Sequence, residues 1–378
     1  MKTVFVIVSS FPCQFKSAIN AISKDHRVIG ICNAVTRSET GLRWTPNIQL
    51  MKDLPFDAKN PEVSAVEFTS ALVLLRNQGM HPDLILLHIG FGFERVCRYM
   101  FPNTPIVGYC EWFFEQANLD TYSALNCALL LRNNGILKQI DDCSVCVTPT
   151  HSQKMAFPVE KRHRILLLHE GVDINYFVPD VSKHSTHPSQ QTITYISRGL
   201  EHMRKFFEFI SIIKIVLEQN SEVCVKIIGE DTTVYDAVTA HYQADAMIEL
   251  GPELLKRVHF MGRVSSEQIR NTLQTSSVHV YLTDVYVTSW SLLEALACGC
   301  IVVGSDNRVL QEFIEDKKTG YLIDHNNSKN AANIICNALA MDAQTSSMMR
   351  NAARALVVNK YSSKESATKW GHLLNSLL

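Results

Sequence analysis

The sequence lacks any apolar run approaching the roughly 20 residues that cross a bilayer, so none of its 378 residues predict a membrane-spanning helix. It also lacks a dominant charge: 36 Lys and Arg stand against 37 Asp and Glu, leaving a net charge of −1. Such a chain has no global field to recruit nucleic acid or an anionic membrane, and any anion must be held by a few placed residues. The eleven cysteines form no disulfide framework in a chain of this length. Cys143-x-x-Cys146 has no second such pair to complete four zinc ligands. Its setting, Cys143-Ser144-Val145-Cys146-Val147, alternates small and apolar residues as a buried strand does, and unpaired thiols fit a reducing, cytoplasmic home. No Asp-x-Asp motif stands in a metal-binding context, so neither a metal nor another cofactor is expected.

What the sequence does contain is apolar content of 46% against 19% charged residues, enough for packed cores rather than disorder. The length suits two α/β domains. The opening Lys2-Thr3-Val4-Phe5-Val6-Ile7-Val8 has one basic residue, a short apolar stretch and no small-residue cleavage site, so it reads as a first strand rather than a signal peptide. A continuous apolar run of this length suits a parallel strand buried on both faces. Strands at 4–8, 27–32, 83–87, 106–109, 143–147 and 165–168 alternate with helical stretches, the first around 15–23 after a loop at 9–13. Residues 179–191 hold Pro, Ser, Thr, His and Lys with almost no apolar content and read as a linker. Beyond it, strands at 192–196, 223–228, 258–261, 278–282 and 301–304 restart the rhythm, with an amphipathic helix at 205–218. Two doubly wound domains follow, over 1–180 and 192–360, with a linker at 181–191 and a last helix over 361–378. In open α/β sheets ligands bind beyond the carboxyl ends of the strands.

Three segments carry the chemistry. In the first, the strand 278–282 runs through a short loop into a helix starting near Ser289 and Trp290, which bears Glu294 and stops at Gly299. A helix amino end offers free N–H groups and partial positive charge to a diphosphate. Glu294 lies about one and a half turns in, where its carboxylate could take two adjacent ribose hydroxyls; alone it would read as a solvent-facing helical residue. The second acid is Glu312, before Asp316-Lys317-Lys318-Thr319-Gly320. In the second segment, Ser197-Arg198-Gly199-Leu200-Glu201-His202-Met203-Arg204, two guanidinium groups six residues apart on a strand-to-helix loop can clamp a pyrophosphate. In the third, His88 closes the strand at 83–87, where a lone histidine is usually structural. Gly90 and Gly92 begin a dinucleotide fingerprint, but Arg95 stands where its third glycine belongs, and a dehydrogenase is excluded.

Ser289-Trp290-Ser291-Leu292-Leu293-Glu294-Ala295-Leu296-Ala297-Cys298-Gly299 through Val303, with Glu312 and the Asp316–Gly320 turn, resembles the nucleotide-binding half of retaining glycosyltransferase family 4. The wording resembles that of a bacterial polysaccharide branch. The resemblance implies the GT-B architecture, two Rossmann-like domains facing each other across a cleft. It implies that Glu294 holds the donor ribose, that Ser289 and its neighbours present amides to the phosphates, and that Arg198 and Arg204 neutralise the leaving diphosphate. It further implies that His88 contacts the transferred sugar. Phe11-Pro12-Cys13-Gln14-Phe15 and Tyr109-Cys110-Glu111-Trp112-Phe113-Phe114 resemble acceptor-side loops, with Gln14 and Glu111 as candidates. His169-Glu170-Gly171-Val172-Asp173 with Phe177 and Pro179 is similar to the signature before the linker, and the last helix is expected to return to the first domain. The family's first glutamate is replaced by Tyr286, which bears on donor-sugar choice.

The implied activity is transfer of a sugar from a nucleoside-diphosphate donor to an acceptor hydroxyl, with retention and without metal. The acceptor is a glycan or glycolipid in polysaccharide or glycoconjugate synthesis, reached by peripheral contact at the inner face of the cell membrane. No side-chain base is evident, and the acceptor proton is expected to go to the leaving phosphate. Two rivals use the same fold. A nucleotide-sugar epimerase or hydrolase would need a placed pair of acids, which the sequence does not offer. A non-catalytic subunit, suggested by Tyr286, would bind nucleotide and transfer nothing.

Overall fold

The computed structural model describes residues 1–35, 42–51, 61–114, 124–180, 191–232 and 241–378; the predicted linker, but for Gln191, lies outside the described residues. The chain forms two compact units, Met1–Gly171 with Ser363–Leu378, and Val172–Ser362.

The first unit is built on seven parallel strands. In chain order the strands are β1 (Thr3–Ile7), β2 (Ser10–Phe11), β3 (Arg27–Ile31), β4 (Ala34–Val35), β5 (Ile48–Met51), β6 (Leu84–His88), β7 (Ile106–Tyr109), β8 (Val145–Thr148) and β9 (Ile165–Leu167). The large sheet runs β5-β3-β1-β6-β7-β8-β9, while β2 and β4 form a separate parallel pair. Side chains alternate across a strand. In β1, Phe5 and Ile7 enter one core with Ile29, Ile85 and Leu87. Val4 and Val6 enter the opposite core with Val28, Leu84 and Leu86. Burial on both faces explains the unbroken apolar runs of the sequence. The helix Ser363–Leu377 supplies Trp370 and Leu374 to the second of these cores, and the Trp370 ring lies 5.8 Å from that of Phe15.

The second unit repeats the plan with β10 (Gln191–Gly199), β11 (Val223–Glu230), β12 (Val258–Gly262), β13 (Val278–Tyr281), β14 (Ile301–Ser305) and β15 (Tyr321–Ile323), ordered β12-β11-β10-β13-β14-β15. Residues 172–180, read from sequence as the end of the first domain, belong here. Val172 and Phe177 pack with Leu292, Leu296 and Val302, and the Arg354 guanidinium donates to the carbonyls of Phe177 at 3.1 Å and Ile174 at 3.2 Å.

Strand order reverses between β1 and β6 in the first sheet and between β10 and β13 in the second. The carboxyl ends flanking those switch points are where an open α/β sheet leaves a crevice. Arg198 lies at the end of β10 and His88 closes β6, each at such an end.

Candidate active site

In the second unit the β10–β11 register slips between Ile196 and Gly199. Arg198, predicted on a loop, therefore lies within β10, turned outward and exposed between buried Ser197 and Gly199. It makes no hydrogen bond or ion pair among the described residues. Gly229 permits this bend: a Cβ there would stand 3.0 Å from the Ser197 carbonyl oxygen and 2.9 Å from Leu200.

Arg204 is placed differently. It ends the short turn His202–Arg204, is buried, and donates from one terminal nitrogen to the Thr283 hydroxyl at 3.0 Å and the Tyr281 hydroxyl at 3.3 Å. The Tyr281 hydroxyl also accepts the Ser289 N–H at 2.7 Å and faces the Ser289 hydroxyl at 3.2 Å. Ser289 Oγ lies 2.6 Å from Ser291 Oγ, which donates toward the Ile196 carbonyl at 3.4 Å. A continuous polar chain thus joins the second arginine to the amino end of the helix Trp290–Ala297 and returns to β10. Two segments about 80 residues apart in sequence become one structure.

Within that network the Ser289 N–H donates to the Tyr281 hydroxyl. Trp290 opens the helix with 43% of its surface exposed. Glu294 is half-buried one turn further along. Glu312 ends the turn Leu310–Glu312, also half-buried; after burial itself, its charge is what pushes the Tyr361 hydroxyl up to about 12. Tyr286 is buried in the loop between β13 and the helix.

Lys205 had no warning in the sequence pattern. It follows Arg204 in the left-handed conformation (φ 52°). Its ammonium lies 2.7 Å from Asp284 Oδ1 and 3.8 Å from Glu208 Oε1, while the Asp284 N–H donates to the Met203 carbonyl at 3.0 Å. The loop after β13 therefore holds both cations, Arg204 through Thr283 and Lys205 through Asp284. Tyr281, the last residue of β13, carried the one available signal: a polar group ending an apolar strand, as His88 does.

In the first unit His88 is the last residue of β6 rather than the first beyond it. Its Nδ1 stands 2.8 Å from the Ile89 carbonyl oxygen. A carbonyl can only accept, so Nδ1 carries a proton. Nε2 lies 3.4 Å from Glu111 Oε2. Glu111 follows β7, its other carboxylate oxygen accepts from Gln14 Nε2 at 3.4 Å, and its carbonyl is anchored by Gln153 Nε2 at 2.6 Å. Gln14 itself sits in the turn Cys13–Phe15 after β2. Behind this group, the buried Tyr109 hydroxyl donates to Glu170, and burial first, then that carboxylate, pushes the phenol well above its ordinary range. The turn after β2 and the ends of β6 and β7 thus bring Gln14, His88 and Glu111 into one polar cluster. Tyr109, Gln153 and Glu170 are its supports.

Among the described residues no group of three or more His, Cys, Asp or Glu stands close enough to hold a metal ion. Cys143 and Cys146 are both buried, with Cys143 just before β8 and Cys146 within it. No described helix is long and apolar enough to cross a membrane.

Two doubly wound parallel sheets, each with placed polar groups at its switch point, define the class as a doubly wound α/β protein. Residues 41–177 match the family described as Glycosyl transferase family 4 group, and residues 178–356 match Glycosyl transferases group 1. The chain is a glycosyltransferase of the family 4 type with GT-B architecture. No curated protein sequence matches it significantly. Among solved structures it is similar to HepE of Anabaena in complex with UDP and glucose, with TM-score 0.75, 14% identity and 100% of each chain covered. It is similar to sucrose-phosphate synthase of Thermosynechococcus elongatus, with TM-score 0.76, 15% identity and coverage of 100% of this chain and 99% of that one. A point mutant of TarM of S. aureus, in complex with fondaparinux, α-GlcNAc-glycerol and UDP, gives TM-score 0.70 at 13% identity, covering 99% of this chain and 100% of that one.

Proposed function

We propose that the protein transfers a sugar from a nucleoside-diphosphate sugar to an acceptor hydroxyl with retention of anomeric configuration, in polysaccharide or glycoconjugate synthesis. The observation that carries this is the cationic end of the second unit's switch point. The exposed guanidinium of Arg198 is unengaged among the described residues, and Arg204 is fixed by Tyr281 to the amino end of the helix bearing Glu294. Fixed cations and a helix amino end stabilise a leaving diphosphate more as its charge develops than before, which is the condition for rate acceleration. They supply that charge without a metal ion. Glu294 takes the ribose hydroxyls, Trp290 and Glu312 complete the donor side, and His88 meets the transferred sugar. HepE with UDP-glucose and TarM with UDP support a nucleotide-sugar donor.

Gln14 and Glu111 serve the acceptor. A largely apolar hollow lined by Phe113, Phe114, Leu130, Leu131 and Leu137 together with Asn133 and Asn134, beginning two residues on from Glu111, supports an acceptor with an apolar part, a glycolipid met at the inner face of the cell membrane by a cytoplasmic enzyme. The test is thermal unfolding with UDP-, GDP-, dTDP- and ADP-sugars, followed by transfer of labelled sugar from the stabilising donor to glycan and glycolipid acceptors. Stabilisation by one base class and labelled product are expected. Donor turnover without acceptor, or binding without any transfer, would replace this function by an epimerase or hydrolase, or by a binding subunit.

A further inference from the structure

In the second unit, β11 carries a lysine in the middle of an otherwise apolar run. Val223, Val225 and Ile227 enter one core of the unit and Ile228 enters the opposite one. Alternation along the strand puts Lys226 on the face of Ile228. It is half-buried, and it makes no hydrogen bond or ion pair among the described residues. An ammonium group partly withdrawn from water without a partner costs stability, so its position in the sheet calls for a counter-charge.

Lys226 lines a hollow of about 370 Å³, together with Met261 of β12 and with Gln268, Asn271, Thr272 and Thr275. That volume lies within the range of small-molecule sites. The last four residues belong to the helix Ser266–Gln274 and its carboxyl cap, at spacing i, i+3, i+4, i+7. A stripe at that spacing is normally the apolar one by which a helix packs. Here it is polar, and Ile269 and Leu273 do the packing instead. Gln268 Oε1 accepts the Ser265 N–H at 3.0 Å, so the amide has its Nε2 donors left to offer. The Asn271 side chain has no hydrogen-bond partner among the described residues.

No residue lining the hollow is acidic. The charged and titratable groups on the neighbouring elements are engaged with other partners or exposed. Glu267 and Arg270 approach each other at 3.9 Å, and the Arg270 guanidinium lies 4.5 Å from the Tyr176 ring centroid. His279 Nδ1 lies 2.9 Å from Thr194 Oγ1, and His259, in register with Lys226 on β12, is exposed. One ammonium beside amide donors, with no carboxylate among them, is the chemistry of an oxyanion site. Lysine binds phosphate as a compact point charge. We infer that this hollow binds the phosphoryl group of a small phosphorylated molecule, with Lys226 as its counter-charge. None of the residues assigned to the sugar donor lines it.

The experiment follows Met261 by NMR in protein whose methionines are labelled at the methyl carbon, the signal being identified by its loss in Met261→Leu. Inorganic phosphate is added while chloride holds the ionic strength constant. A saturable shift of the Met261 signal is expected in wild type and equally in Arg198→Ala. Lys226→Met should weaken phosphate binding about 10-fold or more, the scale of one charged hydrogen bond, and Lys226→Arg should keep it. Lys226→Met should unfold no earlier than wild type, since it removes an unpaired charge. If it fails to fold, the exposed Asn271→Leu takes its place, with a smaller weakening expected. A Met261 signal that does not move, does not saturate, moves equally with chloride, or moves unchanged in the folded Lys226 and Asn271 variants overturns the site. A shift lost in Arg198→Ala but kept in Lys226→Met would place the phosphate at the donor residues and overturn it as well.

Discussion

Replacing Tyr281 by Phe removes one oxygen atom and tests whether the polar chain at the second switch point works as a unit. The ring stays in its buried place, so no cavity of consequence opens. The Ser289 N–H loses its 2.7 Å acceptor and Arg204 loses its 3.3 Å one, while the 3.0 Å bond to Thr283 survives. A neutral bond is worth about 1 kcal/mol and a charged one about 1.5–3, and the long Arg204 contact belongs at the low end. The stability loss should be about 2 kcal/mol, which lowers Tm by roughly 4–8 °C for a domain of this size. The guanidinium, now pinned on one side only, should also cost about 10- to 100-fold in kcat/KM, equivalent to about 1.4–2.8 kcal/mol of transition-state binding. The control is Tyr195→Phe. Its hydroxyl donates to the Arg204 carbonyl at 2.9 Å, not to the guanidinium. It should lose stability and keep its kcat/KM within about threefold. Labelled-sugar transfer and calorimetric unfolding on both variants decide the matter. Wild-type kcat/KM in Tyr281→Phe would refute the idea that this hydroxyl aims Arg204.

Other consequences concern charge and backbone. Burial pushes the Glu94 carboxyl up to about 7 from 4.5. The folded state therefore holds a proton that the unfolded state has released, and stability falls as pH rises from about 4.5 through 7. Glu94→Gln should remove that slope, gaining about 3 kcal/mol over wild type at pH 8 relative to pH 4.5, read from urea unfolding at both. Burial pushes His279 the other way, down to about 3 from 6.5, so stability falls as pH drops from 6.5 toward 3. His279→Asn should recover about 2 kcal/mol at pH 5 relative to its own effect at pH 7.5, by the same assay. At Lys205 the left-handed backbone costs about 1 kcal/mol in any residue but glycine or asparagine-like ones. Lys205→Gly should accordingly unfold some 2–4 °C above Lys205→Ala in calorimetry, since both lose the Asp284 contact and only one relieves the strain.

Most strands of both sheets could be read from sequence because burial on two faces leaves unbroken apolar runs such as Val4–Val8 and Ile301–Val303, whereas the edge strands β5 and β15 were not read and β10 runs three residues past its predicted end. Arg198 is the instructive displacement. A register slip between neighbouring strands has no signature in the strand that carries it, so Arg198 read as a loop residue although it lies in β10. Supporting residues were harder still. Tyr281 and Thr283 meet Arg204 across 77 and 79 positions, and Glu111 meets Gln14 across 97. Such pairs are fixed by strand order and register, which local pattern does not encode. Lys205 was hidden for another reason: a lysine beside arginine reads as solvated charge until its backbone conformation and its Asp284 partner are known.

The proposed transfer depends above all on an exposed guanidinium on β10 meeting a diphosphate. Arg198→Ala probes this without a confounding loss of fold, because Arg198 supports nothing among the described residues. Calorimetric Tm should stay within about 1 °C of wild type, while kcat/KM for sugar transfer falls about 100-fold or more, the scale of losing one charged transition-state contact. Undiminished kcat/KM in a normally folded Arg198→Ala protein would show that the diphosphate is held elsewhere.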